Sequence, residues 1–368
     1  MDRLFCSECN RSYSVSPTLW RCTCGSPLDL LFEPKFPIKK ILKRTPTLWR
    51  YREAIPICRD KNILSLGEGF TPLEAMELEG HRVFLKMDYL SPTGSYKDRG
   101  ATVLVSKIKE MGIKDVVEDS SGNAGCAIAA YCAKGKIKCE IFVPRSTSKG
   151  KLTQIEAYGA LLTKVEGSRE KTAEVTLKAA SHSYYASHCW NPFFFHGTKT
   201  FAFEVWEQLN WKAPDTLVLP VGHGTLFLGA YIGFKELKEA GLVKKIPKFV
   251  GIQSASCAPL YRAFKEGKED VPSIEKRETM AEGIAIAKPV RAKQILRAVQ
   301  ETGGEILVAR EGDIPPAMKE MGLRGHFVEP TSAATIAGLR KYLREERRGE
   351  IIVSTLTGTG LKSIGKIL

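Results

Sequence analysis

The chain has 368 residues, 43% of them hydrophobic and 26% charged, a composition with room for two or three domains and a sizeable core. No apolar run reaches the length of a membrane-spanning helix and the first residues lack a secretory signal core, so a cytoplasmic protein with no membrane partner is expected. The formal net charge is +14, yet basic residues alternate with acidic ones, as in Lys235-Glu236-Leu237-Lys238-Glu239; this reads as solvated helix faces, suited to collecting a small anionic substrate rather than tracking a nucleic acid.

The first motif pairs Cys6 with Cys9 and Cys22 with Cys24. Two close thiolate pairs at this separation have the spacing of a zinc ribbon with four sulfur ligands, so residues 1–34 are expected to form a small lobe around structural zinc. A lobe so short buries little core without its metal. Cys126, Cys132 and Cys139 lie in apolar surroundings and read as small core residues rather than disulfide partners. Pro34-Lys35-Phe36-Pro37 reads as a linker.

Val83-Phe84-Leu85-Lys86-Met87 has the pattern of a strand, and Ala101 to Ile108 has helical spacing of apolar positions. Between them, Ser91-Pro92-Thr93-Gly94-Ser95-Tyr96-Lys97-Asp98-Arg99-Gly100 sets Lys97 in the first turn of the helix. The positive end of a helix dipole disfavours an ammonium there, and a lysine so placed suits chemistry on a carbonyl. A second strand, loop and helix follow in Val116 to Tyr131, where Ser120-Ser121-Gly122-Asn123 leads into a helix of small residues, a site for an anionic group on free backbone N–H groups. Cys139 to Pro144 reads as a buried strand and Gly150 to Ala160 as a helix ending at Gly159. Thr216 to Tyr231 repeats strand, glycine loop and helix, and Gly222-His223-Gly224-Thr225-Leu226 can cradle a phosphate. The run Gly222 to Phe227 lacks the third glycine of a dinucleotide site. Ile351 to Leu356 is a last buried strand before a turn. Alternating strands and helices argue an α/β chain with parallel sheets.

The segment from Ser91 to Gly100 resembles the lysine-bearing segment of threonine synthases, enzymes of the fold type II pyridoxal 5′-phosphate group. Leu48-Trp49-Arg50-Tyr51-Arg52, Leu66-Gly67-Glu68-Gly69-Phe70-Thr71-Pro72-Leu73, Ala281 to Ile286, Lys288 to Arg291 and Thr357-Gly358-Thr359-Gly360-Leu361-Lys362 resemble further family stretches, while Glu329 to Ala334 reads as the opening of a small-residue helix. The ribbon resembles one at the start of archaeal-type members. The resemblance implies two parallel-sheet domains of the tryptophan synthase β type. Residues 35–90 with 200–368 form the large cofactor domain and 91–199 the small one, which carries the lysine and the Asn loop. It implies pyridoxal phosphate bound to Lys97, with Asn123 on its phenolic oxygen, the cup from Gly222 through His223, Gly224 and Thr225 to Leu226 on its phosphate, and Thr357 on its pyridine nitrogen. A hydroxyl there neither protonates nor strongly charges the ring, so a tempered electron sink is expected. The resemblance gives the substrate to Ser95, Ser120, Ser121, Gly122 and Asn191, its phosphate to Lys149 and Lys151, and the assembly as a homodimer.

This chain departs from the family pattern. Phe194 or Phe195 stands where some members have arginine, His196 replaces glutamate, His223-Gly224-Thr225 replaces Asn-Gly-Gly, and Thr359 stands where histidine is common. His196 reads as a packing residue. The implied reaction makes L-threonine from O-phospho-L-homoserine and water. Replacement by sulfide or sulfite, on phosphohomoserine or phosphoserine, and a serine or threonine dehydratase stay open, as does a zinc-ribbon nucleic-acid binder with a retired enzyme body.

Overall fold

Short apolar runs alternating with helices fold into parallel sheets, as their order predicts. The computed structural model describes residues 3–364 apart from 146, 148, 168, 273 and 346–348, and the side chains of 149–151, 169 and 170 also lie outside the description. The chain divides into two units, residues 1–68 with 97–197, and 69–96 with 198–368.

The first unit opens with β1 (Arg3–Phe5), β2 (Ser12–Ser14) and β3 (Asp29–Leu31), an antiparallel sheet in the order β2-β1-β3. The next two strands, β4 (Leu73–Leu78) and β5 (His81–Lys86), belong to the second unit. Four parallel strands complete the first: β6 (Asp115–Glu118), β7 (Lys138–Pro144), β8 (Leu161–Val165) and β9 (Tyr184–Tyr185), in the order β8-β7-β6-β9. Inner β7 is apolar along Ile141, Phe142 and Val143, whereas edge β8 exposes Leu161 and Lys164, as an edge beside water allows. Helices Lys97–Glu110 and Asn123–Gly135 cover this sheet through Leu104, Val105, Ile108, Ile128 and Tyr131.

The ribbon shares this core. Leu4, Leu28 and Leu30 belong to the same buried cluster as Leu104 and Ile137, and Trp20 sets its ring edge-on to Tyr185 and Trp190 at 5.5 and 5.0 Å. Residues 35–68, expected with the large cofactor domain, pack instead in the first unit. Leu48, Trp49, Ile55 and Ile57 surround Val103 of the Lys97–Glu110 helix. The expected division is corrected there because the apolar partner of the Trp49 segment lies beyond Lys97 in sequence.

Glu110, at the end of that helix, fastens the same segment. Its Oε1 accepts the N–H groups of Cys58 and Arg59 at 2.9 and 3.0 Å and the Asn62 amide at 3.2 Å, while Lys107 reaches Oε2 at 2.9 Å. Burial opposes the charged carboxylate, but Lys107, Asn62 and the Arg59 N–H outweigh it and hold the acid below its ordinary value of 4.5. A depressed acid contributes stability above its unfolded value and loses it as pH falls through the folded one. Urea titrations of Glu110→Gln should therefore show a deficit of about 1–2 kcal/mol at neutral pH that vanishes below pH 4.5. A deficit that persists in acid would contradict this account.

The second unit is one six-stranded sheet, with β10 (Thr216–Pro220), β11 (Lys248–Ser254), β12 (Glu305–Ala309) and β13 (Ile352–Thr355) in the order β12-β11-β10-β13-β5-β4. All neighbours are parallel except the β4-β5 hairpin at one edge. Every residue of β10 is buried, as suits an inner parallel strand covered on both faces. Helices Thr225–Glu239 and Pro330–Leu343 start at the carboxyl ends of their strands, where such sheets place ligands. Among the described residues no helix is long and apolar enough to cross a membrane.

Candidate active site

Within the first unit, Lys97 opens the helix Lys97–Glu110, as its sequence position predicts. Its Nζ lies 5.7 Å from the centre of the Phe194 ring. Phe194 is fully buried and packs on the same helix turn, where a Cβ on Gly100 would come within 2.3 Å of the ring. A Cβ on Gly197 would meet the Arg99 carbonyl oxygen at 2.0 Å. These two glycines let the helix Pro192–Thr198 approach the turn that carries Lys97. Phe194 thus sets an apolar ring against the lysine. His196 is buried and meets Phe32 of the ribbon edge-on at 5.7 Å, a packing role as expected.

The Ser120-Ser121-Gly122-Asn123 loop follows β6 and enters the helix Asn123–Gly135. Ser120 is buried, its Oγ accepts the Gly122 N–H at 3.3 Å, and Ser121 and Asn123 are half-buried. Gly125 fixes the turn: a Cβ there would stand 1.9 Å from the Ser120 carbonyl oxygen. Gly125→Ala must push the loop off its place, at about 1–3 kcal/mol. The expected result is a raised KM for the amino-acid substrate with a melting temperature lowered by a few degrees. An unchanged KM would show that the loop's position does not matter. Beside the loop, His188 Nδ1 bonds Glu118 Oε1 at 2.8 Å, both groups being buried. Asn191 is buried, its amide donating to the Tyr184 hydroxyl at 2.6 Å and its oxygen accepting the Phe193 N–H at 3.1 Å. That pattern caps the Pro192–Thr198 helix. Lys149 and Lys151 lie in the helix Lys149–Ala157, but their side chains are outside the described residues.

Within the second unit, Gly222 to Leu226 joins β10 to the helix Thr225–Glu239. Gly224 takes φ +77° at the helix start, and a Cβ on Gly222 would meet the Gly283 carbonyl oxygen and Ile284 Cα at 3.0 Å. The helix start leaves backbone N–H groups for an acceptor from outside. Thr225 is buried, with its hydroxyl 2.8 Å from that of Tyr96, and the Thr198 hydroxyl donates to its carbonyl at 2.8 Å. Residues 94–96 run antiparallel to 357–359 through the Ser95–Gly358 bridge and the Tyr96 N–H on the Thr357 carbonyl at 3.0 Å. Thr357 is fully buried. So Ser95, Thr357 and the glycine cup, far apart in sequence, converge through Tyr96.

Sequence reading missed three of these residues. Tyr96 was hidden beside the lysine. Glu68 is buried under the Leu66 N–H, the Trp49 indole and the Tyr131 hydroxyl at 2.7 to 2.8 Å, so the Leu-Gly-Glu-Gly stretch is a structural hub. Glu329 bonds Thr357 across 28 residues of sequence. For Glu68 and Glu329 the available signal was a lone acid beside apolar residues, whereas Tyr96 lies in a polar segment and carried none.

The four ribbon sulfurs lie within 4.8 Å of one another. Each pair sits in a tight turn, closed by the Asn10 N–H on the Cys6 carbonyl and the Gly25 N–H on that of Cys22, with positive φ at Asn10 and Gly25. Burial pushes the Cys6 thiol up to about 12. Cys22 is buried too, but the Tyr13 hydroxyl at 3.0 Å and the Cys24 N–H bring it down to about 6. This donor set fits a tetrahedral soft-ligand metal.

The cup also fits a phosphorylated cofactor, being a glycine loop at a helix start with a threonine hydroxyl. Ser95 Oγ, buried without a hydrogen-bond partner among the described residues, is the kind of polar atom a ligand completes. The family described as pyridoxal-phosphate dependent enzyme matches residues 64–358. The threonine synthase of Methanocaldococcus jannaschii is 36% identical over 97% of this chain and 92% of its own, and that of Methanosarcina acetivorans 34% over 98% and 92%. Among solved structures, serine racemase from Dictyostelium discoideum has TM-score 0.67 at 27% identity, covering 79% of this chain and 92% of its own. That structural likeness matches the fold type II architecture expected from sequence. With the lysine, the Asn loop and the cup all formed, and with relatives matching from end to end, the chain belongs to the threonine synthase family of pyridoxal-phosphate dependent enzymes.

Proposed function

We propose that the protein converts O-phospho-L-homoserine and water to L-threonine and phosphate. The carrying observation is the similarity to two archaeal threonine synthases over 97% and 98% of the chain. When bound, the pyridoxal group supplies an electron sink for negative charge beside the substrate amine. Lys97 would hold it, and the Lys97 amine, freed beside the substrate, would take the proton from Cα and one from Cβ as phosphate leaves Cγ, and return protons to Cγ and Cα as water adds across to give the Cβ hydroxyl. The Ser120 to Gly122 amides and hydroxyls bind the carboxylate, and Asn123 orients the ring from its phenolic side. Backbone amides from Gly222 to Leu226, with the Thr225 hydroxyl, hold the cofactor phosphate. Thr357 meets the ring nitrogen, and Ser95 offers its buried hydroxyl to the substrate. Lys149 and Lys151 are assigned to the substrate phosphate.

The test is a steady-state assay of purified protein with O-phospho-L-homoserine, with and without sulfide. Stoichiometric phosphate and threonine are expected. Homocysteine in the sulfide arm, or no phosphate release, would overturn the reading in favour of a replacement reaction.

Structural zinc on Cys6, Cys9, Cys22 and Cys24 accompanies this reading, as do a homodimer, to be checked by sedimentation, and a cytoplasmic location. Because Trp20 packs on Tyr185 and Trp190, loss of zinc should reach the rest of the unit. Cys22→Ser is expected to lose the metal, measured by elemental analysis, and to red-shift the tryptophan emission. One zinc per chain retained in the variant would rule out Cys22 as a ligand.

A further inference from the structure

In the second unit, the glycine cup leans on a wall made by residues 283–295. A Cβ on Gly222 would stand 3.0 Å from the Gly283 carbonyl oxygen and 3.1 Å from Ile286 Cγ1, and one on Gly224 would stand 2.5 Å from Ile295 Cδ1. Gly283 is itself seated on the helix Pro330–Leu343, where its Cβ would meet Thr331 Oγ1 at 2.7 Å. The wall begins as a tight turn, with the Glu282 N–H on the Met280 carbonyl at 2.9 Å and the Ile284 N–H on that of Ala281 at 3.0 Å. Ala281, Ile284 and Ala285 are buried. Residues 279–281, which lead into this turn, belong to no strand or helix, so something other than a ladder must hold them.

One carboxylate does so. Glu311 stands just beyond β12, half-buried, and its Oε2 accepts the Thr279 hydroxyl at 2.9 Å and the Met280 N–H at 3.4 Å. Its Oε1 accepts the hydroxyl of Ser254, the last residue of β11. Thr279 and Ser254 are both buried. The Thr279 hydroxyl accepts the Ala281 N–H at 3.1 Å, and that of Ser254 accepts the Ser256 N–H, also at 3.1 Å. Each hydroxyl therefore spends its single proton on Glu311 and takes a backbone N–H on a lone pair, a pattern that only an ionised acid completes. Glu311 thus ties the carboxyl ends of β11 and β12 to the start of the wall.

We propose that Glu311 is a positioning residue for the cofactor phosphate, which, acting through Thr279, holds the wall against Gly222 so that the N–H groups of the cup converge on that phosphate. The inference rests on the reading that the cup holds the phosphate. A glycine loop does not fix its own direction, because its backbone is free to take many; what packs behind it decides where its N–H groups point. Without the Glu311 acceptor the wall can draw back, and the N–H groups spread. The cofactor then loses hold at its phosphate, while the reach of its aldehyde to Lys97 is unchanged. This gives the Glu-Gly-Asp turn after β12, remote in sequence from the cup, a part in selecting a phosphorylated cofactor.

The experiment titrates the full chain with pyridoxal phosphate and with pyridoxal, following the absorbance of the lysine-bound form, in the wild type, Glu311→Gln, Thr279→Val and Thr279→Ser. Phosphorus-31 NMR of each holoenzyme reads the surroundings of the phosphate directly. The wild type should hold the phosphorylated form far more tightly. Glu311→Gln sets an amide donor against groups that also donate, and Thr279→Val keeps the shape of the side chain without its hydroxyl. Both should lose about tenfold of that preference, the worth of one hydrogen bond to a charged group, and move the phosphorus signal toward that of free cofactor. Thr279→Ser should keep both readouts. Variants in which the two affinities fall together, with an unmoved phosphorus signal, would overturn the inference and leave Glu311 a merely structural residue; Thr279→Val carries this test alone if Glu311→Gln does not fold. A wild type that holds pyridoxal as tightly as its phosphate ester would instead bring down the underlying reading of the cup, and the inference with it.

Discussion

Replacing Lys97 with alanine should abolish turnover and covalent retention of the cofactor while leaving the fold standing. The side chain is half-buried at the first turn of its helix, and its Nζ rests over the Phe194 ring, so its removal opens no large core cavity. Stability should change by no more than about 1 kcal/mol, since a cation over one aromatic face is worth about that. The chemical loss is far larger. Proton transfer by a positioned base contributes about 10²–10⁴-fold, and the proposed mechanism asks Lys97 for two such transfers. A fall in kcat of at least about 10³-fold is therefore expected. The checks are phosphate release under saturating substrate, cofactor absorbance after dialysis, and thermal unfolding of the same samples. Added methylamine should restore part of the turnover by replacing the missing amine. Activity within about tenfold of wild type would remove Lys97 from the reaction, whatever the absorbance shows.

The parts of this site that could be read from sequence are those whose chemistry is local. Lys97 at a helix start, the Ser120 to Asn123 loop and the Gly222 to Leu226 cup each occupy one strand-loop-helix passage, where glycine and small residues mark a close approach of backbone. The parallel sheets followed from the same alternation. What stayed hidden depends on partners distant in the chain. Tyr96 could not be linked to Thr225, nor Glu68 to both Trp49 and Tyr131, because no spacing rule joins them. The ribbon looked like an appendage because its apolar residues are few. Its packing partners, Tyr185, Trp190 and His196, come more than 150 residues later. Phe194 or Phe195 read as standing in place of an arginine, and only the space left by Gly100 shows what the Phe194 ring does there.

The largest stability effect is expected at Lys86, where a strand that looks apolar carries a buried charge. Lys86 ends β5 with its Nζ 2.8 Å from Glu204 Oε2, and both side chains are fully buried. The same ammonium donates to the Thr71 carbonyl and to Gln208 Oε1 at 2.7 Å, so its donors are spent on three fixed acceptors. Lys86→Met keeps the aliphatic stem but leaves the Glu204 carboxylate in an apolar interior without its counter-charge. Removing one partner of such a pair costs about 3–5 kcal/mol, much of it the penalty of the charge left behind. The double variant Lys86→Met/Glu204→Leu removes that charge as well, and replacing a whole buried pair by apolar side chains is often near neutral. Equilibrium urea unfolding should therefore rank wild type and double variant close together and the single variant well below both. The remaining deficit of the double variant reports the Thr71 carbonyl and Gln208 amide that lose a donor. A double variant as unstable as the sum of its single substitutions would instead mean that packing, not charge pairing, holds this corner of the sheet.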